Sequence, residues 1–597
     1  MPIQAQSISS DLKSGPYVDK LLYKTIINGE DQVQALIDGE LDVLGDLDIS
    51  AANTLAEASN IEISSTLRNG YGYISINCDK YPFNFTAFRR ALAFALDKEA
   101  ISEEDLDGYA QPLDSCVPSI NPFSVEGQLP YSYYEENIVL GNYLLDQAGF
   151  VIDNETGFRL APNGDAFDVL VESAQSSSNS VRIGQRVADA LNALYIDGRS
   201  VPTDFYEYLN RIYFHGSYDI VFLGDSFNNF DVDWLAYHFA SDYSDSPYWN
   251  FANFQNDTYD SWRDQLLHAT EYEEVYEAAF KMQEVFVYQS PQIICYENLL
   301  PSAYRTNKFE GFVNDVNDGI SGWWTNYKVR LKSEHGGPFG GTLQIGTWTI
   351  PDCFNFMITH SSITSGPIAI EGMYESLLRI GPDGNDIPWL AESYTAETHS
   401  DNPSVPDGYT RFNFDIIQNA TWSDGTPLTA DDVAYSLNYY RDAPGNPLGV
   451  SLSDMTAAYA VTTYSMRIEF SSESYWHLHS ISYKPIMPKH VFIEIGVDYW
   501  NLWNPQPPEE PIVTSGAFNI SRYVLGEYIE LTKNPDYFFD AVPLPEVPAD
   551  PTDTNTGTPL EIIMEVIGNA SPLSLMITIP SLVVIAIVIV KWRLETT

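Results

Sequence analysis

The stretch TRFNFDIIQNATWSDGTPLTADDVAYSLNYY, residues 410–440, constrains the fold more than any other part of the chain, because its hydrophobic period changes within thirty or so positions. Phe412, Phe414 and Ile416 alternate with polar residues, the period-2 pattern of a half-buried strand. Asp424-Gly425 then marks a turn. Thr429 is a good N-cap, Asp431 and Asp432 place carboxylates in the first helical turn, and Val433, Leu437 and Tyr440 follow at i, i+4 and i+7. The unit is therefore strand, tight turn, capped amphipathic helix, an α/β building block with no chemistry of its own.

At 597 residues the chain exceeds what one hydrophobic core usually supports, so two or three lobes are expected. Aromatic residues make up 14% and hydrophobic residues 44%, which excludes a disordered chain. Asp and Glu number 82 against 30 Lys and Arg, a formal net charge of -52 that would repel phosphate backbones. Nucleic-acid binding is excluded on that ground, whereas a solvated acidic surface or a cationic or zwitterionic ligand fits. Cys78, Cys116, Cys295 and Cys353 show no CxxC spacing, so neither a zinc ribbon nor a dithiol site is read, and no disulfide pairing is singled out.

Residues 571–590, SPLSLMITIPSLVVIAIVIV, carry no charge and as a helix span roughly 30 Å, the thickness of a bilayer core. Lys591, Trp592 and Arg593 follow, so the tail is expected inside and the acidic bulk outside the cell. Before the span, residues 541–570 are rich in Pro, Thr and Asp and read as an extended stalk. The opening MPIQAQSISSDLKSG has no apolar core of a signal peptide, which leaves export of the acidic part to be explained.

WSDGTPLTADDVAYSL resembles the signature of the family 5 extracytoplasmic solute-binding proteins, the peptide, dipeptide and nickel receptors of ABC importers. GGTLQIGTWTIPDCFNF (340–356), YESLLRIGPDGNDIPWLAESY (374–394), PIMPKHVF (485–492) and SGAFNISRYVLGEYIELTKNPDYF (515–538) are similar to further segments of the family's first half. YVDKLLYKTIINGEDQVQALIDGELDVL (17–44), YISINCDKYPFNFTAFRRALAFALDKEAI (73–101), LLDQAGF (144–150) and YDIVFLGDSFNNFDVDWLAYHF (218–239) look like segments that follow NPDYF in the family. The two halves thus stand in reversed order. A circular permutant joined at LKSEHGGPFGG fits, as does the remainder of a longer chain in which 340–540 is a partial second copy; both predict one complete binding fold.

The resemblance implies an α/β, two-lobed periplasmic-binding-protein-like fold of class II and the large peptide-receptor type, plus the C-terminal transmembrane helix. Lobe I is expected from 17–70, 293–331, 341–385 and 510–540, lobe II from 71–292, an extra subdomain of lobe I from 386–509, and the joint from 332–340. In peptide-binding members an acidic residue in a G-W-x-x-D loop meets the peptide's amino group. Here the loop reads GDSFNNFDVDW, with Asn228 at the acid's position and Asp225 at the tryptophan's, so Asp225 or Asp231 is the candidate replacement. Trp234, Tyr237 and Tyr71 in lobe II, and Asn355 and Tyr374 in lobe I, are further ligand-binding candidates that can stack or hydrogen-bond.

His477 and His479 in YWHLH would share a face if the segment is a strand, but two imidazoles without a third ligand assign no metal. The sequence contains no HExxH, GxSxG, P-loop or GxGxxG, so no enzyme and no cofactor is read. The sequons at Asn84, Asn154, Asn256, Asn419, Asn519 and Asn569 are compatible with an exported surface. The expected protein is a membrane-anchored, extracytoplasmic receptor, archaeal by analogy, that passes peptides or other small polar solutes to ABC permease subunits. The alternative is a surface structural or adhesion protein built from the same half-domains without transport activity.

Overall fold

The computed structural model describes residues 12–227, 229–244, 249–359, 372–507, 509–510 and 512–542. The chain divides into two compact units, 1–542 and 543–597. The second unit lies outside the described residues, and with it most of the expected stalk and the expected span 571–590. Among the described residues no helix is long and apolar enough to cross a membrane.

One sheet runs through the first unit, and both halves of the sequence are woven into it. Lys20–Thr25 pairs in parallel with Thr342–Thr347 on one side and antiparallel with Tyr528–Lys533 on the other. From that edge the order is Phe518–Val524, Tyr528–Lys533, Lys20–Thr25, Thr342–Thr347, Val43–Leu44, Gln292–Arg305, Gly70–Ile76, Ile220–Ser226, Asp168–Ala174 and Asp197–Thr203. A strand from the start of the chain is therefore a central member between two strands from its second half. Residues 332–340 fold back through the 3-10 turn Ser333–His335, and the Gly340 amide donates to the Tyr17 carbonyl at 3.1 Å. Gly337 sits so close to the Leu331 carbonyl that any Cβ there would collide with it.

Gln292–Arg305 is 14 residues long and links the two larger hydrophobic cores, with Ile294 in one and Tyr304 packed against the other, while its Ala303 joins a third, smaller core of Leu36, Leu41 and Leu55. Its first residues pair with Gly70–Ile76, and its last with Ile61–Leu67 and Val43–Leu44. One core gathers Leu21, Leu343 and Leu531 from three distant segments together with Trp389, Phe414 and Leu437. The other gathers Ile74, Phe88, Val171, Val187 and Ile220. The segments around the first core are called lobe I below and those around the second lobe II.

Lobe II contains a parallel crossover in which Asp168–Ala174 leads through the helix Ser178–Ala193 to Asp197–Thr203. The Ser177 hydroxyl caps the helix by accepting from the Ser180 amide, and Ile183, Val187 and Leu191 bury one face at four-residue spacing. In lobe I, Ala391–Glu397, Thr410–Ile416, Ser465–Phe470 and Met455–Ala460 form an antiparallel four-stranded sheet. The helix Ala430–Asp442 lies on it with Val433, Leu437 and Tyr440 buried, and Thr429 and Asp432 form a reciprocal capping box. The strand, turn and helix expected over 410–440 are thus found, including a left-handed Gly425 at φ 86° in the turn.

The YWHLH segment differs from expectation. Residues His477–Ser482 form a helix, so positions two apart point away from each other and the two imidazoles do not share a face. Tyr475, His479 and Tyr483, four apart, carried the helical period.

Candidate functional site

The seam between the lobes is built on the loop that follows Ile220–Ser226 in lobe II. That strand lies antiparallel to Gly70–Ile76, with Asp225 opposite Tyr71 and Gly224 opposite Gly72. Gly72 is needed for close packing: a Cβ there would come within 2.5 Å of Cε1 of the Tyr296 ring. Beyond the strand, Asn69 donates its amide to the carbonyls of Phe227 at 3.0 Å and Asn229 at 2.8 Å, which fixes the loop's path. The Asn229 side-chain oxygen accepts from the Asp231 amide at 3.1 Å, and the Trp234 indole donates to the Asp231 carbonyl at 3.1 Å. Phe227 stacks on Trp234 with centroids 4.7 Å apart.

This loop holds Asp231 against lobe I. His479 Nδ1 lies 2.5 Å from Asp231 Oδ1, and its Nε2 lies 3.0 Å from Asp386 Oδ2. The Tyr483 hydroxyl also donates to Asp386. All three charged side chains are largely sheltered, at 17% exposure for His479 and Asp231 and 27% for Asp386. Burial disfavours an imidazolium, but hydrogen bonds to the two carboxylates outweigh it and push His479 up to about 10. Asp386, although partly buried, is held below the usual carboxylate range by His479 and Tyr483. His477 takes the opposite course: burial lowers it to about 4, and it stacks on Phe470 at 3.9 Å as a neutral ring.

Around this bridge the lobes interlock. Trp476 inserts into the lobe II core, 5.6 Å from Phe123, and its indole donates to the Leu266 carbonyl at 2.7 Å. The Tyr475 amide donates to the Ala269 carbonyl at 2.8 Å. Beside the bridge, Asp233 is pushed up to about 6 by burial and by the neighbouring Asp231.

Asp225 stands at the strand end, half-buried, its carboxyl raised by burial while Tyr73 and the nearby Arg68 guanidinium oppose that rise. Arg68 is turned to Ser226, donating through Nε to its hydroxyl at 2.7 Å. On the far side of Gly224 a cavity of about 480 Å³ is lined by Ser176, Ser177, Phe205, Tyr208, Tyr213 and Phe222. It lies at the carboxyl ends of two parallel strands, Asp168–Ala174 and Ile220–Ser226, the place where open α/β sheets carry ligands.

The expected ligand residues thus separate into groups. Trp234 and Tyr71 pack on Phe227, Tyr71 with its ring 5.7 Å away and at 1% exposure, while Asp225 lies opposite Tyr71 in the strand pair and Asp231 meets His479. Tyr237 lies beyond Trp234, near Tyr243 and Trp249. Asn228 lies outside the described residues. Asn355 and Tyr374 are buried in lobe I, where Asn355 donates to the Trp500 carbonyl at 2.8 Å and Tyr374 packs on Phe356 at 4.6 Å. The sequence reading passed over Arg68, Asn69, Asp386, Tyr483 and the role of His479. Among the described residues no group of three or more His, Cys, Asp or Glu is placed to hold a metal ion, and the four cysteines are free thiols.

The family model of the bacterial extracellular solute-binding proteins, family 5 middle, matches residues 12–247 and 387–563. A probable ABC transporter-binding protein of Deinococcus radiodurans is 30% identical over 27% of this chain and 28% of its own length. The glutathione-binding protein GsiB of Shigella flexneri is 24% identical over 49% of this chain and 55% of its own. The chain therefore spans only about a quarter to half the length of these relatives. Among solved structures, the oligopeptide-binding protein AppA of Bacillus subtilis in complex with a nonapeptide has a TM-score of 0.43 at 17% identity, covering 51% of this chain and 59% of its own. NikZ of Campylobacter jejuni in complex with Ni(L-His) has a TM-score of 0.42 at 16% identity, covering 51% and 60%. With the family model matching most of its length in two stretches, the chain belongs to the bacterial extracellular solute-binding proteins of family 5.

Proposed function

We propose that this chain is an extracytoplasmic receptor that captures a small peptide or similar polar solute by closing its lobes and delivers it to an ABC permease without changing it chemically. The observation that carries this reading is the Asp231–His479–Asp386 bridge, which ties a lobe II loop to lobe I across the seam where family 5 receptors enclose their ligand. The name of the glutathione-binding relative favours a peptide-like solute. Because Asp231 is engaged by His479, Asp225 is the carboxylate left to meet a ligand's amino group, with Trp234 and the aromatic cavity beyond Gly224 receiving side chains. Tethering by residues 571–590 belongs to the same proposal, as does reversed order of the family's halves.

The test is a thermal-shift screen of di- to decapeptides, sugars and metal complexes. A true ligand at 100 times its dissociation constant adds ~2.7 kcal/mol of stability, a clear rise in melting temperature. A response to peptides that Asp225→Asn weakens for free-amino but not N-acetylated peptides supports the assignment. No response across the whole library would count decisively against a working receptor and leave the structural or adhesion reading standing.

A further inference from the structure

The segment NDVNDGISGWW, residues 314–324, lies outside the Asp231–His479–Asp386 bridge and holds two buried side-chain oxygens without a hydrogen-bond donor. Asp315 is 4% exposed. One of its carboxylate oxygens accepts from the amides of Asn317 at 3.0 Å and Asp318 at 2.8 Å. The other, Oδ2, is buried without a hydrogen-bond donor, and so is the side-chain oxygen of Asn317. Leaving a charged oxygen buried and unpaired is costly, so each such atom calls for an explanation. Asp318 crowds the same place: a Cβ on Gly322 would collide with Asp315 Oδ2 and lie 2.8 Å from Asp318 Cβ. Without a positive partner the loop therefore holds the Asp315 and Asp318 carboxyl groups side by side.

We propose that Asp315, Asn317 and Asp318 form a binding site for a hard divalent cation of the calcium type. Two carboxylates and an amide oxygen within four residues are the donors such an ion prefers, with main-chain oxygens and water completing six to eight ligands. Softer metals are disfavoured by the absence of nitrogen and sulfur donors in this set. The position gives the ion a consequence. The Val316 amide donates to the Pro382 carbonyl at 3.1 Å, Asn314 to the Ser65 carbonyl at 3.3 Å, and the Gly384 position abuts both Val316 and Phe230. Phe230 is the residue before Asp231, so a cation that orders this loop also steadies the surface on which the lobe II loop closes.

The test uses the full chain stripped with chelator and held in 1 M KCl, which screens diffuse binding to the acidic surface. Terbium is titrated with excitation of tryptophan, since Trp323 and Trp324 follow Gly322 directly, and calcium and magnesium are then added as competitors. The expected result is one stoichiometric, tryptophan-sensitised site that calcium displaces better than magnesium. Asp318→Asn, at an exposed position, should weaken it at least tenfold, and the charge-matched control Asp407→Asn should not. Calcium should raise the melting temperature of the parent and the control but not of Asp318→Asn, and Asp315→Asn should behave like Asp318→Asn. Absence of a stoichiometric component, or one that Asp318→Asn leaves intact, would overturn the proposal; Asp315 would then be a carboxyl buried in its protonated form.

Discussion

His479 in lobe I stands 2.5 Å from Asp231 in lobe II, and this contact, with Asp386 on the other imidazole nitrogen, is the charged joint between the two cores. Replacing the imidazole leaves two sheltered carboxylates facing each other. Hydrogen bonds to charged groups contribute about 1.5–3 kcal/mol each, and partial exposure lowers the loss. His479→Ala is therefore expected to weaken lobe closure by about 1–3 kcal/mol. The check is small-angle scattering of the ligand-free protein: the variant should be measurably more extended than the parent. An identical radius of gyration would mean that Trp476 and the backbone contact at Ala269 hold the seam without the bridge.

The same bridge sets a pH dependence. The imidazolium is raised from its ordinary value near 6.5 to about 10, so the closed form binds a proton that a separated His479 would release. Its contribution is fully present below about pH 6.5 and is lost as pH rises through about 10. Melting temperature or scattering followed from pH 6 to 10.5 should show progressive loosening that His479→Gln abolishes. A parent that tightens over this window would contradict the assignment of a bridging cation.

How much of this was readable beforehand depends on how local the determinants are. The strand, turn and helix at 410–440 follow from Phe412, Phe414, Ile416, Gly425, Thr429 and the four-residue spacing of Val433 and Leu437, all acting on near neighbours. The weaving of both halves into one fold followed from segment resemblance, although the register of Lys20–Thr25 between two later strands is a tertiary fact. The seam was only half legible. Asp231 stood in a recognisable loop, but its partners are 155 and 248 positions away in numbering, as Asp386 and His479, and no local pattern links them. Tyr71, Asn355 and Tyr374 show the converse, since an aromatic or amide side chain has the same appearance in sequence whether it lines a cleft or fills a core.

Close packing under the candidate loop gives a sharp expectation at Gly72. A methyl group there meets the Tyr296 ring from the strand Gln292–Arg305, in the middle of the sheet and next to Asp225. Overpacking of this kind costs about 1–3 kcal/mol. Gly72→Ala should lower the denaturation midpoint accordingly, whereas Gly425→Ala, which strains a turn at φ 86° with open space around it, should cost about 1 kcal/mol through backbone conformation alone.

Net charge of -52 predicts how stability responds to salt. Self-repulsion among surface carboxylates opposes the compact state, and raising ionic strength from 0.1 to 1 M shortens the screening length from about 10 to about 3 Å. The melting temperature should climb by several degrees with KCl over that range. Exposed ion pairs such as Arg199–Asp168 and Lys281–Glu284, which salt weakens, work against this rise, but the sheltered pairs Lys98–Asp114 and Arg379–Glu375 are little screened. A melting temperature that falls with KCl would mean that surface pairing, not repulsion, governs the balance.

The sheet order makes the two halves interdependent. Lys20–Thr25 has Thr342–Thr347 on one side and Tyr528–Lys533 on the other, so residues 12–331 alone leave this strand with both edges bare, and residues 340–542 alone leave a gap where it belongs. Leu21, Leu343 and Leu531, each almost fully buried, would be exposed to water in the separated pieces. Each piece produced alone should therefore be poorly folded or aggregation-prone, and co-production should give a one-to-one complex that melts in a single transition. Hydrogen exchange gives the residue-level readout: amides of residues 20–25 should be protected in the complex and unprotected in the isolated first piece. Two pieces that each fold cooperatively and ignore one another would break the single-fold description at its central strand.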